Sequence, residues 1–256
     1  MKIVFHEKYY NSDYSHDPAA APGRLDGIME ALGSENRHEI LRPEAAWEEE
    51  ILRAHGRDHV ARIRGNSHLY EMASLAAGGA ILAARRAFAG HPSFAVIRPP
   101  GHHASADSCW GFCFFNNMAV SLLALFAEKK ICSAAVLDFD LHTGDGNINI
   151  LEGRRDGFRV SILNPYANEP AAYLHEIEEW MASLRKIDII AASAGFDQGV
   201  DDWGNLLSVD EYCGIGRLMK ECSLRLCGGR RYALLEGGYN HDVLGAHVRA
   251  FCEGFE

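Results

Sequence analysis

Short apolar runs alternate with longer amphipathic or apolar stretches along nearly the whole chain. Met1–Phe5 (MKIVF), Phe94–Ile97 (FAVI), Ala134–Leu137 (AAVL), Phe158–Leu163 (FRVSIL), Ile187–Ala192 (IDIIAA) and Arg231–Leu235 (RYALL) are short and nearly continuous in apolar character. They read as strands covered on both faces. Between them, Gly23–Leu32, the Ala-rich Met72–Phe88, Asn117–Lys130, Ala171–Lys186, Val209–Leu226 and His241–Phe251 read as helices. Asn117–Lys130 is apolar around most of its circumference, whereas Ala171–Lys186 turns Glu176, Glu178 and Glu179 outward. Strand and helix in alternation predict an α/β fold: a single doubly wound domain over 1–256, its central, mostly parallel sheet carrying helices on both faces. No repeat, linker or low-complexity tract interrupts the pattern.

Composition changes this picture little. With 256 residues, 48 % hydrophobic and 23 % charged, the chain has ample apolar content for a core, which excludes disorder as its main state. No stretch approaches the roughly 18 apolar residues of a membrane span, and the N-terminus turns polar after Phe5, so neither membrane nor secretion is expected. Seven cysteines form no C-x-x-C pair; an odd count without a secretion signal predicts a reduced, cytoplasmic compartment. A net charge of −10 argues against a nucleic-acid partner and favours cationic ligands.

In doubly wound sheets, ligands sit outside the carboxyl ends of the strands, and those places are rich in chemistry here. Arg-Pro-Pro-Gly-His-His (98–103) follows Ile97, Asp-Phe-Asp-Leu-His-Thr-Gly-Asp-Gly (138–146) follows Leu137, Ser-Ala-Gly-Phe-Asp (193–197) follows Ala192, and Glu-Gly-Gly-Tyr (236–239) follows Leu235. Asp140 and His142 are two apart, so extended backbone projects them from one face. Asp197 from a neighbouring strand end would complete a three-ligand site with one open position, an arrangement suited to catalytic Zn²⁺ and also able to take Fe²⁺. The alternative for D-x-D-x-H alone, the less favoured one, is a solvated loop or a Ca²⁺ or Mg²⁺ site. His102 and His103 read alone as ligands, acid-base groups or surface residues. Asp138 and Asp145, not needed as ligands, suggest two carboxylate–imidazole dyads with them. Tyr239 is either core filling or a donor to a developing oxyanion.

These residues resemble the zinc-dependent deacetylase side of the arginase-deacetylase superfamily, which includes histone deacetylases, acetylpolyamine amidohydrolases and acetoin-utilisation proteins. The matching motifs are RPPGHH (98–103), GFCFFNN (111–117), DFDLHTGDG (138–146), SAGFD (193–197) and EGGYN (236–240), and the likeness runs from Arg24 to the Tyr239 region. The resemblance implies a zinc-dependent amidohydrolase acting on a small acylated amine or an acetyl-lysine peptide. It makes Asp140, His142 and Asp197 the metal ligands, pairs His102 with Asp138 and His103 with Asp145 as the acid-base histidines, and makes Tyr239 the group that polarises the amide carbonyl. Phe112 matches one wall of an acyl-lysine tunnel, and Gly111 the position whose carbonyl receives the amide N–H. Asp138 and Ser161, with the backbone carbonyls of Asp140, His142 and Ile162, resemble a structural K⁺ site. Arg24 matches an arginine lining an internal cavity through which acetate leaves.

Three departures bear on substrate. Thr143 replaces a second histidine common in the family. Arg64–Tyr70 is short where peptide-specific relatives carry a loop with a backbone-gripping aspartate, and Glu71 is the nearest carboxylate, expected to start the helix. Tyr166 is the residue taken for the second tunnel aromatic. No dimerising insertion is visible, so a monomer is favoured. A binuclear manganese ureohydrolase would need a second bridging aspartate that SAGFD lacks, and a non-catalytic metal sensor would not need the histidine pair and tyrosine.

Overall fold

The computed structural model describes residues 1–33 and 38–256. In chain order its elements are β1 (Lys2–Val4), α1 (Asp26–Gly33), β2 (Glu39–Leu41), α2 (Glu48–Ile51), α3 (Arg57–Arg64), α4 (Ser67–Phe88), β3 (Ser93–Ala95), α5 (Asn117–Ala127), β4 (Ser133–Asp138), α6 (Asp145–Leu151), β5 (Arg159–Leu163), α7 (Pro170–Ser183), β6 (Ile189–Ala194), α8 (Val209–Cys227), β7 (Arg231–Leu235) and α9 (His241–Phe255). The seven strands form one sheet in the order β2-β1-β3-β7-β6-β4-β5, and every pairing is parallel. The strands expected from their apolar runs are all present. β2 was not expected: three residues, partly exposed, carry no apolar run. The short helices α2, α3 and α6 were missed too, because four to eight residues are too few for a helical period to declare itself.

β7 shows why helices cover both faces. Tyr232 passes its hydroxyl to Ser121 and Met118 of α5, whereas its neighbour Arg231 donates to Phe255 of α9 and Ser223 of α8. Successive strand residues point to opposite faces, so α5 lies on one face and α8 with α9 on the other. Local chemistry sets the helix starts. Asn116 accepts from the Ala119 N–H at α5, and Ser208 and Glu211 form a reciprocal capping box at α8. Among the described residues no helix is long and apolar enough to cross a membrane.

The carboxyl ends of β3, β7, β6 and β4 are adjacent in the sheet, although the chain visits them as third, seventh, sixth and fourth strands. Chemistry far apart in sequence therefore converges at one edge. Beneath it Phe94, Phe139, Phe196, Tyr212 and Phe251 are fully buried, with Phe139 and Phe196 rings 5.8 Å apart. Burying each such ring contributes about 2–3 kcal/mol, and because Phe139 and Phe196 sit next to the site carboxylates, the core anchors the loops that carry them.

Candidate active site

At the end of β4 the chain alternates Asp138, Phe139 and Asp140; Phe139 turns into the core and the two aspartates turn to the sheet edge. Asp140, His142 and Asp197 each offer a ligand atom within 4.8 Å of the others. Asp140 is held by N–H groups of His142 (2.9 Å) and Gly237 (2.8 Å). Asp197 Oδ1 accepts from the Leu141 N–H at 3.1 Å, but its Oδ2 is buried without a hydrogen bond, although His142 Nδ1 lies 3.3 Å away. A Cβ on Gly237 would fall 2.6 Å from both Asp140 Oδ2 and the Asp197 carboxyl carbon, so only glycine lets the β7 exit pass this close. The Asp140 and Asp197 carboxylates push His142 up to about 10. Burial, and then the Asp140 charge, raise Asp197. Two buried carboxylates and an imidazole, with one carboxylate oxygen unpartnered, form a donor set that fits a divalent cation.

Beside this cluster stand the two histidines, both 3 % exposed. His102 Nδ1 lies 3.3 Å from Asp138 Oδ2 and His103 Nδ1 lies 2.6 Å from Asp145 Oδ1, so the dyads expected from sequence are both brought together. Burial opposes charging His102, but Asp140 and Asp138 outweigh it and hold the imidazole well above its ordinary value. Burial and the His102 charge push His103 down to about 4. One histidine of the pair is therefore held charged and the other neutral.

Tyr239 follows β7, its backbone N–H donating to Asp202 Oδ2 at 2.7 Å. Burial, with Asp140 and Asp197 nearby, raises its phenol far above the tyrosine range, so the hydroxyl keeps its proton. The Phe112 ring stands 5.9 Å from Tyr239, edge-on. Gly111 and Phe112 both lie in the left-handed region, at φ 58° and 66°, a conformation costly for phenylalanine and stored at the site. Arg24, fully buried, donates to the carbonyls of Gly238 (2.8 Å) and Glu236 (2.5 Å), and its guanidinium lies 5.4 Å from the Tyr239 ring centroid.

Sequence reasoning missed two tryptophans. Trp203 stacks on Tyr239 at 4.1 Å and lies 6.1 Å from His142. Trp110 covers His103 at 3.8 Å and donates its indole N–H to Asp145 Oδ2 at 2.9 Å. Tyr166, expected as the second tunnel aromatic, is 90 % exposed; the ring against Tyr239 is that of Trp203. Trp110 was findable, since it directly precedes GFCFFNN; Trp203 lies in the irregular stretch after Asp197, where no period marks it. Glu71 lies in the second turn of α4 and pairs with Lys8 rather than starting the helix.

The expected monovalent-cation group spans two paired strands, β4 and β5. Register sets Ser161 opposite Ala135 and Ile162 opposite Val136, whereas Asp138 is three residues beyond Ala135, roughly 10 Å along the strand. The Ser161 hydroxyl accepts from the Trp180 indole at 3.1 Å. Asp138 Oδ1 is buried without a partner, an atom that a cation would satisfy. The residue alternation in 160–164 could not reveal this register, because it is set by pairing between strands.

A family model described as the histone deacetylase domain matches residues 19–171. The chain is 29 % identical over 304 aligned positions to a probable deacetylase of Methanothermobacter thermautotrophicus, covering 99 % of this chain and 90 % of that protein. It is 31 % identical to an acetylpolyamine amidohydrolase of Burkholderia pseudomallei, covering 73 % of this chain and 63 % of that protein. The crystal structure of the HDA15 HD domain superposes with a TM-score of 0.82 at 22 % identity, covering 98 % of this chain and 87 % of that one, a likeness of fold. Fold and sequence together define an arginase-deacetylase-type α/β protein. The chain belongs to the histone deacetylase family.

Proposed function

We propose that the chain is a metal-dependent amidohydrolase that removes acetyl or short acyl groups from primary amines, with acetylpolyamine-like amines accepted at least as well as acetyl-lysine peptides. The observation carrying this reading is the meeting, at one sheet edge, of a three-donor cluster, two carboxylate-bonded histidines and a protonated tyrosine. Asp140, His142 and Asp197 would hold the ion, Zn²⁺ by donor type with Fe²⁺ as the alternative. Such an ion supplies Lewis acidity toward the amide carbonyl and acidifies water.

The protein's own groups then divide the proton work. Asp145 fixes the proton of His103 on Nδ1, so the neutral ring presents Nε2 as an acceptor and can later return the proton to the leaving amine. His102, kept charged by Asp138 and Asp140, acts through its field. The Tyr239 hydroxyl donates to the oxygen that gains charge as the amide carbon becomes tetrahedral, a role typically worth about 3 kcal/mol. Phe112 and Trp203 flank Tyr239 with flat apolar walls suited to a slender alkyl amide. Only Gly65 and Asn66 separate α3 from α4, which leaves no room there for a peptide-gripping loop. Acetylputrescine, acetylspermidine and acetyl-lysine peptides compared by kcat/KM test the reading. Absence of turnover on all three overturns it, and a peptide preference above ~100-fold, about 2.7 kcal/mol, overturns the substrate assignment.

A further inference from the structure

A second group of unlike donors lies beside the Asp140–His142–Asp197 cluster. His102, Cys113 and Glu236 each place a ligand atom within 4.8 Å of the others, and all three are buried. Glu236 Oε2 accepts the N–H groups of Gly101 (2.7 Å) and His102 (3.2 Å), but Oε1, equally buried, has no hydrogen-bond partner. Cys113 Sγ accepts from the His103 N–H and donates to the Gly111 carbonyl, each at 3.4 Å. His102 meets Asp138 through Nδ1, so its protonated Nε2, 3.7 Å from Asp140 Oδ1, is the atom turned to this group. An unpartnered carboxylate oxygen in a dry interior is costly, and nothing in the deacetylation scheme uses it.

We propose that His102, Cys113 and Glu236 form a second, inhibitory site for a borderline-soft divalent cation of the Zn²⁺ class. A thiolate and a carboxylate together balance a 2+ charge, and sulfur with imidazole selects Zn²⁺ or Co²⁺ over Mg²⁺ and Ca²⁺. Metal bonds of about 2.0–2.3 Å would require the donors to close up by rotation about Cys113 χ1 and the terminal Glu236 torsion. On binding, the S–H bond of Cys113 and the Nε2–H bond of the charged His102 break, both protons pass to solvent, and sulfur–metal and nitrogen–metal bonds form. The ion takes His102 Nε2 and draws Cys113 away from the His103 N–H and Gly111 carbonyl, so turnover stops. Displacing both protons, with a like-charged ion close by at the first cluster, makes this the weaker site, filled only in excess metal. The inhibitory effect rests on the deacetylase reading; the binding does not.

Metal-free protein titrated with Co²⁺ separates the two. Bound metal is counted by equilibrium dialysis, and sulfur ligation is read from the near-ultraviolet thiolate-to-cobalt charge-transfer band. The expected result is a first equivalent without the band and a weaker second equivalent with it. Cys113→Ser should lose the band and weaken the second equivalent at least tenfold, and Glu236→Gln should weaken it similarly, serving alone if the serine variant does not fold. In turnover of an acetyl-lysine peptide, excess Zn²⁺ should inhibit the parent, and Cys113→Ser should need at least tenfold more. A single equivalent in the parent, or a band undiminished in Cys113→Ser, overturns the site. A parent that binds two equivalents but hydrolyses no acyl amine overturns the deacetylase reading instead.

Discussion

His55 offers a quantitative handle on the loop that carries the site's aromatics. Its ring, 4 % exposed, accepts the Asn116 N–H at Nε2 (2.8 Å), so its proton sits on Nδ1 and is donated to the Ser105 carbonyl (3.0 Å). One neutral imidazole thus clamps both ends of the 105–116 segment, which includes Trp110, Gly111 and Phe112. His59, stacked on it at 4.9 Å, ties the Phe114 carbonyl to α3. Protonating His55 would set N–H against N–H. Burial and the neighbouring His59 accordingly push its pKa down from 6.5 to about 4. Because the folded value is depressed, the unfolded chain takes the proton first. Stability from this group is whole above pH 6.5 and is lost as pH falls toward 4, about 3 kcal/mol in all and about 2 kcal/mol between pH 7 and 5. Urea unfolding followed by tryptophan fluorescence at both pH values, in the parent and in His55→Gln, isolates the effect because other titrations cancel in the difference. The glutamine variant should be less stable at pH 7 by about 1–2 kcal/mol, for a lost hydrogen bond, yet lose about 2 kcal/mol less on acidification. Equal pH dependence in the two proteins would refute the clamp.

Three further outcomes are expected. Asp197→Ala should abolish metal retention together with turnover, and stoichiometric zinc in the purified variant would show the ligand assignment to be wrong. His103→Ala should lose roughly 10²- to 10⁴-fold in kcat while retaining metal, and His102→Ala should lose less; equal residual activity in the two would end the division of labour between them. Trp110→Phe keeps a ring over His103 but removes the N–H to Asp145, so kcat should fall roughly fivefold, about 1 kcal/mol, with KM unchanged; a fall expressed only in KM would assign Trp110 to substrate contact instead.

What the sequence determined by itself is the chemistry and the general frame. Six continuous apolar runs could only be strands buried on both faces, so a parallel α/β sheet followed, and residues at their carboxyl ends had to lie at one edge. Two carboxylate–imidazole dyads were legible because Asp138 and Asp145 were spare once Asp140 and Asp197 were set aside as ligands, and the family resemblance gave which histidine each would meet. Tertiary structure decided what depends on register and on neighbours distant in the chain. Ser161 lies opposite Ala135 because pairing between β4 and β5 fixes that level and a period of two cannot. Trp203, not Tyr166, lies against Tyr239 because the irregular segment after β6 folds back over β7, and irregular backbone leaves no periodic trace. The unpartnered oxygens of Asp197 and Glu236 belong to the same class of fact: a sequence names the donors, but only packing shows which lone pairs have been left without a hydrogen.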